Sequence, residues 1–403
     1  MIPRELARTL RAAARIYPVV TLTGPRQSGK TTLCKAAFRG KPYVSLEPLD
    51  ARELAIADPR GFLAEYRRGA VIDEVQNAPG LLSYLQAEVD EDPTPGRFVL
   101  TGSQHLGLLD AVTQSLAGRT AVLHLLPPSL GELRRFPKPP ATLWETMFSG
   151  AYPRIHDRGI PPARWLADYV TTYVQRDVRT LLRVTELSTF TTFLRLCAAR
   201  TGQEINLSAL GGDAGVTHNT ARAWLSVLEA TFICFRVPAW HVNVTKQAVK
   251  AAKLHFFDVG LAAHLLGIRE PGQLVHHPLR GALFESWVAS EIYKARAHGG
   301  LDPALFHYRD AKRLEVDLLV DTGGAALLVE AKSAQTVAAD FFTSLVHLSE
   351  LLAGRKRESR RLVVYGGDRG QRRSQAQVVP WHEIDRADWR GRQDARGDPT
   401  KAR

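Results

Sequence analysis

The chain has 403 residues, of which 45% are hydrophobic and 23% are charged, and its net charge is +12. This composition is typical of a soluble globular protein with two to four domains, and it excludes a wholly disordered or fibrous chain. The positive charge favours an anionic partner, most often nucleic acid or a membrane surface.

Cysteine usage and the absence of long apolar runs indicate the compartment. Cys34, Cys197 and Cys234 are widely spaced, which argues against a disulfide framework and a cysteine zinc site. No apolar run reaches the ~20 residues that a membrane-spanning helix needs. Residues 1–18 have the pattern of a basic amphipathic helix and not that of a signal peptide. We therefore expect a cytoplasmic protein with no membrane partner.

A phosphate-binding loop is predicted near the N-terminus. The β-prone run at 18–23 is followed by GPRQSGKTT and then by a helical stretch at 33–38. In such a loop, glycines let backbone N–H groups surround phosphate oxygens, the lysine reaches the β- and γ-phosphates, and the next hydroxyl coordinates Mg²⁺. The predicted nucleotide-binding residues are Gly24, Pro25, Arg26, Gln27, Ser28, Gly29, Lys30, Thr31 and Thr32.

Two acids end the next apolar run, AVIDE at 70–74. Asp73 would hold Mg²⁺ through water, and Thr31 would be its partner at the metal. Glu74 would polarise the attacking water as general base, with Lys30 stabilising charge on the phosphates. The alternative is a simple strand end.

Two further polar positions follow apolar runs. In RFVLTGSQ, Ser103 or Gln104 would sense the γ-phosphate, or the segment is only a turn. Arg119 precedes the run AVLHLL and would act as an arginine finger across a subunit boundary; the alternative is a surface salt bridge. Four strands with polar carboxyl ends predict a parallel α/β sheet whose ligand site lies at those ends.

These segments together resemble bacterial and archaeal AAA+-type P-loop ATPases of the additional-strand class, in which the C-terminal half carries a restriction-endonuclease-like domain. The resemblance is carried by TGPRQSGKTTL, VIDEVQ, LTGSQ, SLAGR, GAYPRI at 150–155 and YVTTYVQRDVR at 169–179. It implies an ATPase that uses ATP and Mg²⁺ and forms a homo-oligomer, with a hexameric ring expected if Arg119 acts in trans. The absence of an N-K-x-D motif favours ATP over GTP.

Residues 151–240 are predicted to form a helical lid and a winged helix-turn-helix. The helical pattern from 163 to 183 places Trp165 and Tyr169 on one face, and the resemblance makes Arg176 a minor candidate for a lid arginine, against a solvated face. At 204–233, Ser208 and Thr217 are candidate caps of two short helices joined by a glycine turn.

The second of these helices is the candidate DNA-binding element. His218, Asn219 and Arg222 would be its exposed residues, facing the major groove. The alternative is a winged helix that packs as a lid and does not touch DNA.

Residues 241–385 are predicted to form an α/β domain with the PD-(D/E)xK nuclease pattern. The predicted elements are an amphipathic helix at 280–297 and a hairpin at 314–332, followed by a helix at 340–352 and a strand at 361–365. Asp317 and Glu330 would bind Mg²⁺, Lys332 would orient or deprotonate the attacking water, and Glu285 would complete the metal site. The alternative is a binding or assembly domain that retains the motif.

Two basic segments complete the chain. Lys246, Lys250 and Lys253 form either a phosphate-facing patch or a solvated helix face. Residues 386–403 are predicted to be a disordered basic tail.

The fold class is therefore α/β, with an ATPase domain at 1–150, the middle module at 151–240 and the nuclease-like domain at 241–385. The leading hypothesis is Mg²⁺-dependent ATP hydrolysis coupled to action on duplex or branched DNA. The second hypothesis is an ATP-driven nuclease. The third is a nucleotide switch that binds a protein partner and carries a non-cutting nuclease-like domain.

Overall fold

The computed structural model describes residues 2–102, 112, 114–174, 187–241, 251–310 and 314–390. Several predicted positions lie outside these ranges: Ser103, Gln104, Arg176, Lys246, Lys250 and the tail from residue 391.

A five-stranded parallel sheet forms the N-terminal domain, with strand order β2-β3-β4-β1-β5. Its strands are β1 (Val19–Thr23), β2 (Tyr43–Ser45), β3 (Val71–Asp73), β4 (Phe98–Thr101) and β5 (Thr120–His124). Strand β4 lies between β1 and β3, so the loops that follow β1 and β3 open onto one edge of the sheet with one strand between them. The sequence predicted four of these strands and missed β2, which has three half-buried residues and no apolar run.

Helices cover this sheet and extend from it. The described ones are α1 (Leu6–Ala13), α2 (Lys30–Ala37), α3 (Leu49–Ala57), α4 (Pro59–Glu65), α5 (Leu81–Glu91), α6 (Leu130–Leu133) and α7 (Leu143–Ser149). Leu6 and Leu10 of α1 are fully buried, so the basic N-terminal helix packs its apolar face against the domain.

The middle region is helical. Its described helices are α8 (Pro153–Arg158), α9 (Pro162–Tyr169), α10 (Leu187–Ala199), α11 (Leu207–Ala214) and α12 (His218–Ala230). Thr217 caps α12 as predicted, because its side chain accepts a hydrogen bond from the Thr220 N–H. The predicted cap Ser208 is wrong: Asn206 caps α11, and its side chain accepts from the N–H groups of Ser208 and Ala209.

An antiparallel pair of strands joins the middle region to the C-terminal region. Strand β6 (Cys234–Val237) pairs with β7 (Lys253–Phe256), so the boundary predicted at residue 240 falls between two paired strands. A single hydrophobic cluster includes residues from Leu126 to Trp389. The two regions therefore share one core.

The C-terminal sheet has the strand order β12-β13-β11-β10-β9-β8. Its strands are β8 (Leu305–Arg309), β9 (Glu315–Asp321), β10 (Ala325–Lys332), β11 (Glu358–Tyr365), β12 (Gln371–Arg372) and β13 (Gln377–Pro380). Strands β9 and β10 form the predicted hairpin, and β10 pairs in parallel with β11. The described helices of this region are α13 (Val259–Leu265), α14 (Pro271–His276), α15 (Arg280–His298) and α16 (Thr343–Ala353).

Helix α15 differs from its prediction. It was expected to be amphipathic, yet most of its side chains are buried, including Glu291, Lys294 and Arg296. The Lys294 ammonium lies 2.9 Å from Glu291, so the polar residues of this helix are paired inside the core.

The disordered tail was predicted to start at residue 386, which is too early in the chain. Trp389 is 2% exposed, its indole N–H donates to the Ile384 carbonyl, and Arg296 donates to the Trp389 carbonyl. Residues 386–390 are thus part of the folded domain.

None of the helices in the described part of the chain combines the length and the apolar character that a bilayer crossing requires.

Candidate nucleotide-binding site

The predicted phosphate-binding loop connects β1 to the N-terminus of α2. Gly24 has φ 146°, and a Cβ atom there would lie 2.3 Å from the Leu125 carbonyl oxygen. Gly29 has φ 93° and immediately precedes α2. Both conformations favour glycine, so the two glycines that define the motif are required by the backbone.

Lys30 lies inside this loop. Its side chain is buried, and its ammonium donates to the carbonyl oxygens of Gly24 at 2.9 Å and Pro25 at 2.8 Å. Burial lowers the pKa of Lys30 to about 8, against the opposing effect of Glu74 and Asp73. The ammonium therefore lies inside the curve of the loop backbone, close to Glu74 and Asp73.

Asp73 is the centre of a buried network of hydroxyl groups. Its carboxylate accepts from Thr31 at 2.8 Å, from Tyr43 at 2.7 Å, and from Thr101. Thr31 at the start of α2 and Asp73 at the end of β3 thus lie in contact, and their role at a metal stays a prediction. Oxygen donors of this kind suit Mg²⁺, so the residues present fit the metal that a bound nucleotide brings.

Tyr43 and Thr101 were missed by the sequence reasoning. Tyr43 belongs to the short strand β2, 30 residues before Asp73, and its position beside Asp73 depends on the pairing of β2 with β3. Burial and the neighbouring Asp73 carboxylate raise the pKa of Tyr43, so its hydroxyl stays a donor.

Glu74 has a left-handed backbone, with φ 57°. This conformation costs a residue other than glycine of order 1 kcal/mol or more and is concentrated at functional sites. The Glu74 carboxylate accepts a hydrogen bond from the Gln76 amide and lines the same cleft as Lys30.

The loop opens into a cleft of about 1080 Å³. Besides the loop, its walls come from α1 and α8, which lie far apart in the sequence. The cleft is strongly basic, and its arginines are Arg4, Arg8, Arg11, Arg26, Arg39, Arg154 and Arg158. Arg154 belongs to the GAYPRI segment, so that motif contributes a cation to the cleft, which was not foreseen from the sequence.

Arg4 ties the N-terminal segment to the loop. Its guanidinium donates to the carbonyl oxygens of Ser28 and Leu126, each at 2.7 Å, and lies 3.0 Å from the buried carboxylate of Glu132. Glu5 and His298 are close enough to Glu132 to share a metal ion. However, the Glu132 oxygens already accept from Arg4 and from the N–H groups of Glu5 and Ser129, which argues against a metal there.

Arg119 lies at the amino ends of the parallel strands, opposite to the ends that carry the loop. Its carbonyl accepts from the N–H of Val19, the first residue of β1, whereas the loop follows the last residue, Thr23. A five-residue strand is roughly 16 Å long, so Arg119 does not reach the loop of its own chain. Its guanidinium forms a bidentate ion pair with Asp90, in which Nε and Nη2 lie 2.5 and 2.9 Å from the two carboxylate oxygens.

The candidate DNA-contacting residues lie at the first turns of α12. Asn219 and Arg222 are exposed and His218 is half-buried. Arg222 forms no ion pair with any residue that the structure describes. At this helical spacing the three residues lie on one face of α12, and their contact with DNA stays a prediction.

The candidate nuclease residues also come together. Asp317 and Glu330 are buried, and the Lys332 ammonium lies 2.5 Å from Glu330 and 3.5 Å from Asp317. The Ala331 N–H donates to Asp317 at 2.8 Å. Burial, together with the Asp317 charge, raises the pKa of Glu330 to about 8. Although burial alone would lower it, Asp317 and Glu330 raise the pKa of Lys332.

A second lysine, Lys253, occupies the same cluster. It was expected on a basic patch or a solvated helix face, and both expectations are wrong. It lies in β7, its side chain is 4% exposed, and its ammonium contacts Glu285 at 2.8 Å and Glu315 at 2.5 Å. Burial, together with the Asp317 charge, raises the pKa of Glu285 to about 8.

Three family models match consecutive parts of the chain. Residues 17–134 match an AAA domain, residues 140–272 match a domain of unknown function (DUF8612), and residues 280–384 match another domain of unknown function (DUF4143). The first match covers the sheet and the loop described above. The second extends beyond the boundary predicted at residue 240.

Two curated mycobacterial proteins are similar to the chain over most of its length. The uncharacterized protein Rv2008c of Mycobacterium tuberculosis is 30% identical over 347 residues, which are 83% of this chain and 74% of that protein. The uncharacterized protein Mb2031c of Mycobacterium bovis gives the same values.

Two solved structures match the chain with low identity and low TM-scores. A Walker-type ATPase of Pyrococcus abyssi is 17% identical with a TM-score of 0.42, covering 66% of this chain and 96% of that one. A RuvB variant of Thermotoga maritima is 21% identical with a TM-score of 0.32, covering 59% and 90%.

The AAA-domain match and the geometry of Lys30, Thr31 and Asp73 agree in identifying a nucleotide site that takes ATP with Mg²⁺. The chain belongs to the same family as Rv2008c of Mycobacterium tuberculosis, and it is a P-loop ATPase with an AAA domain at residues 17–134.

Proposed function

We propose that this ATPase couples Mg²⁺-dependent ATP hydrolysis to action on duplex or branched DNA, as a homo-oligomer that forms a hexameric ring. The observation that carries the proposal is the exposed start of α12. It follows a short helix and a glycine turn and is followed by the β6–β7 pair, which is the order of elements in a winged helix-turn-helix. In that fold the second helix enters the major groove.

The chemistry of the exposed residues supports this role. Arginine and asparagine side chains can contact guanine and adenine edges or bind phosphates, so Arg222 and Asn219 suit a DNA contact. Among the described residues, Arg222 has no carboxylate partner. The net charge of +12 favours a polyanion as partner.

The test is the ATPase rate with single-stranded DNA, duplex DNA and a four-way junction. We expect one DNA form to stimulate hydrolysis by the wild type and not by Lys30→Ala. Arg222→Ala should lose the stimulation and keep the basal rate. Arg236→Ala is the matched control, because Arg236 is also exposed but its guanidinium is held by Glu229 at 2.6 Å. A rate that no DNA form changes would contradict the proposal.

A second candidate is a nucleotide switch that binds a protein partner and carries a non-cutting nuclease-like domain. It is favoured by the two ammonium groups among the carboxylates of that domain. A slow rate that is flat across all DNA forms, with a protein co-purifying in the presence of ATP, would support it.

Cutting by Glu285, Asp317, Glu330 and Lys332 stays a prediction. Plasmid DNA incubated with Mg²⁺ or Mn²⁺ tests it directly, and Glu330→Gln is the control that should abolish any nicking.

A further inference from the structure

Four carboxylates and two ammonium groups lie together where β7, α15, β9 and β10 meet. This acid cluster consists of Glu285, Glu315, Asp317, Glu330, Lys253 and Lys332. The predicted metal site uses Glu285, Asp317 and Glu330 as ligands. Whether a divalent ion fits therefore depends on the groups that these three carboxylates already contact.

The carboxylates are divided between the two lysines. Lys332 holds Glu330 and Asp317, whose oxygen also accepts from the Ala331 N–H. Lys253 holds Glu285 at 2.8 Å and Glu315 at 2.5 Å. A divalent ion needs carboxylate oxygens at roughly 2.0–2.6 Å, and it repels an ammonium that shares those oxygens. With the two ammonium groups in these positions, the cluster does not fit the metal ion that the nuclease prediction requires.

Lys253 comes from a different part of the fold than the other members. It is placed by the pairing of β7 with β6, directly after α12, whereas Lys332 belongs to the motif itself on β10. The side chain of Lys253 is 4% exposed, against 32% for Lys332. Lys253 is thus buried among the acids and is fixed by the middle region.

We propose that Lys253 is an internal cation that takes the place of a divalent metal ion in the acid cluster. While β7 remains paired with β6, its ammonium neutralises Glu285 and Glu315 and keeps a metal out. The cluster then joins the middle region to the C-terminal sheet by an ion-paired contact. This inference concerns the C-terminal site alone and does not depend on DNA action or on ATP turnover.

The test is Mn²⁺ binding without nucleotide, measured from the free Mn²⁺ EPR signal and from the melting temperature. We expect no saturable binding by the wild type up to about 1 mM. Lys253→Met should acquire one site with at least tenfold higher affinity than the wild type, and Mn²⁺ should raise its melting temperature. Adding Glu330→Gln to Lys253→Met should remove the new site.

Lys294→Met is the matched control. Lys294 is equally buried and also pairs with a glutamate, Glu291, at 2.9 Å, but it lies outside the cluster. It should lose stability without gaining Mn²⁺ binding. If Lys253→Met does not fold, the charge-balanced double variant Lys253→Met with Glu315→Gln carries the same expectation.

Two results would overturn the proposal. One is tight Mn²⁺ binding by the wild type that Glu330→Gln abolishes. The other is a folded Lys253→Met, or the folded double variant, that binds no more Mn²⁺ than the wild type does.

Discussion

Asp73 shows how much of the predicted metal site depends on hydroxyl groups that no motif contains. Its carboxylate accepts hydrogen bonds from Thr31, Tyr43 and Thr101, and only Thr31 belongs to the loop motif. The orientation of Asp73 is therefore fixed from β2 and β4 as well as from the loop. A carboxylate held in this way is preorganised for the water shell of Mg²⁺.

Tyr43→Phe tests this orientation. Removing a hydrogen bond to an ionised group costs about 1.5–3 kcal/mol, so we expect the Mg²⁺ concentration for half-maximal hydrolysis to rise about tenfold or more. The measurement is the ATPase rate against Mg²⁺ at saturating ATP. Tyr84→Phe serves as control, because Tyr84 is exposed on α5 and should leave the Mg²⁺ dependence unchanged.

Lys30 gives the site a dependence on pH. Only the protonated ammonium attracts the phosphates, and burial lowers the pKa of Lys30 to about 8 in the free protein. As pH rises through 8 the free protein loses this proton, and binding ATP must then restore it. The dissociation constant of ATP should therefore rise about tenfold between pH 7 and pH 9 and stay nearly constant below pH 7.

The measurement is ATP binding by calorimetry at pH 6.5, 7, 8 and 9. Lys30→Ala should bind weakly at every pH and show no such rise between pH 7 and pH 9. A wild-type dissociation constant that does not change up to pH 9 would mean that Lys30 keeps its proton in the free protein.

At the residue scale, sequence was informative where a motif is local and silent where a side chain arrives from another element. Gly24 through Thr32 are contiguous, so their spacing already specifies a phosphate cradle. Tyr43 and Arg154 reach the same site from a strand and a helix that only the folded chain brings near. GAYPRI was noted as a motif, but no local pattern places Tyr43 or Arg154 at the nucleotide site, because their placement depends on β2–β3 pairing and on the packing of α8.

Among the elements, the N-terminal segment has the most direct link to the nucleotide loop. Arg4, just before α1, binds the carbonyl of Ser28 and the buried carboxylate of Glu132 in α6. With side-chain exposures of 7% and 0%, this ion pair is screened from water. Removing one partner of such a pair leaves a buried charge without compensation.

Glu132→Gln should therefore lower the free energy of unfolding by about 3–5 kcal/mol and weaken ATP binding, because Arg4 no longer holds the loop. Urea unfolding and ATP titration measure the two effects. Glu145→Gln is a close control: Glu145 has the same capping-box position in α7 but is exposed, so about 1 kcal/mol or less is expected. Equal losses in the two variants would show that Glu132 acts only as a cap.

The elements also show where periodicity misleads. Helix α15 has charged residues at a spacing that predicts a solvated face, yet Glu291 and Lys294 neutralise each other inside the core. Lys253 follows the same logic, since its charge indicated an exposed position and its partners Glu285 and Glu315 allow burial. In both cases the ion pair forms between residues whose proximity a single sequence does not reveal.

On the scale of the whole molecule, the two edges of the parallel sheet have different roles. The carboxyl edge carries the loop, Asp73 and the basic cleft, as the strand order predicts. The amino edge carries Arg119, which cannot reach that cleft within one chain. A catalytic role for Arg119 therefore requires a second copy of the chain, and its ion pair with Asp90 is then the state outside the subunit contact.

Arg119→Ala separates these possibilities. Arg119 and Asp90 are 32% and 48% exposed, and exposed ion pairs contribute little to stability, so the variant should fold normally. If Arg119 acts on a neighbouring subunit, hydrolysis should fall by about 10³-fold. Mixing Arg119→Ala with Lys30→Ala should then restore part of the activity, because a contact is complete when the Arg119→Ala subunit supplies the loop and the Lys30→Ala subunit supplies the arginine. Asp90→Asn, which removes the ion pair but keeps the arginine, should hydrolyse ATP at the wild-type rate. A wild-type rate for Arg119→Ala would leave Arg119 as a surface ion pair only, and a reduced rate without recovery on mixing would contradict action across a subunit boundary.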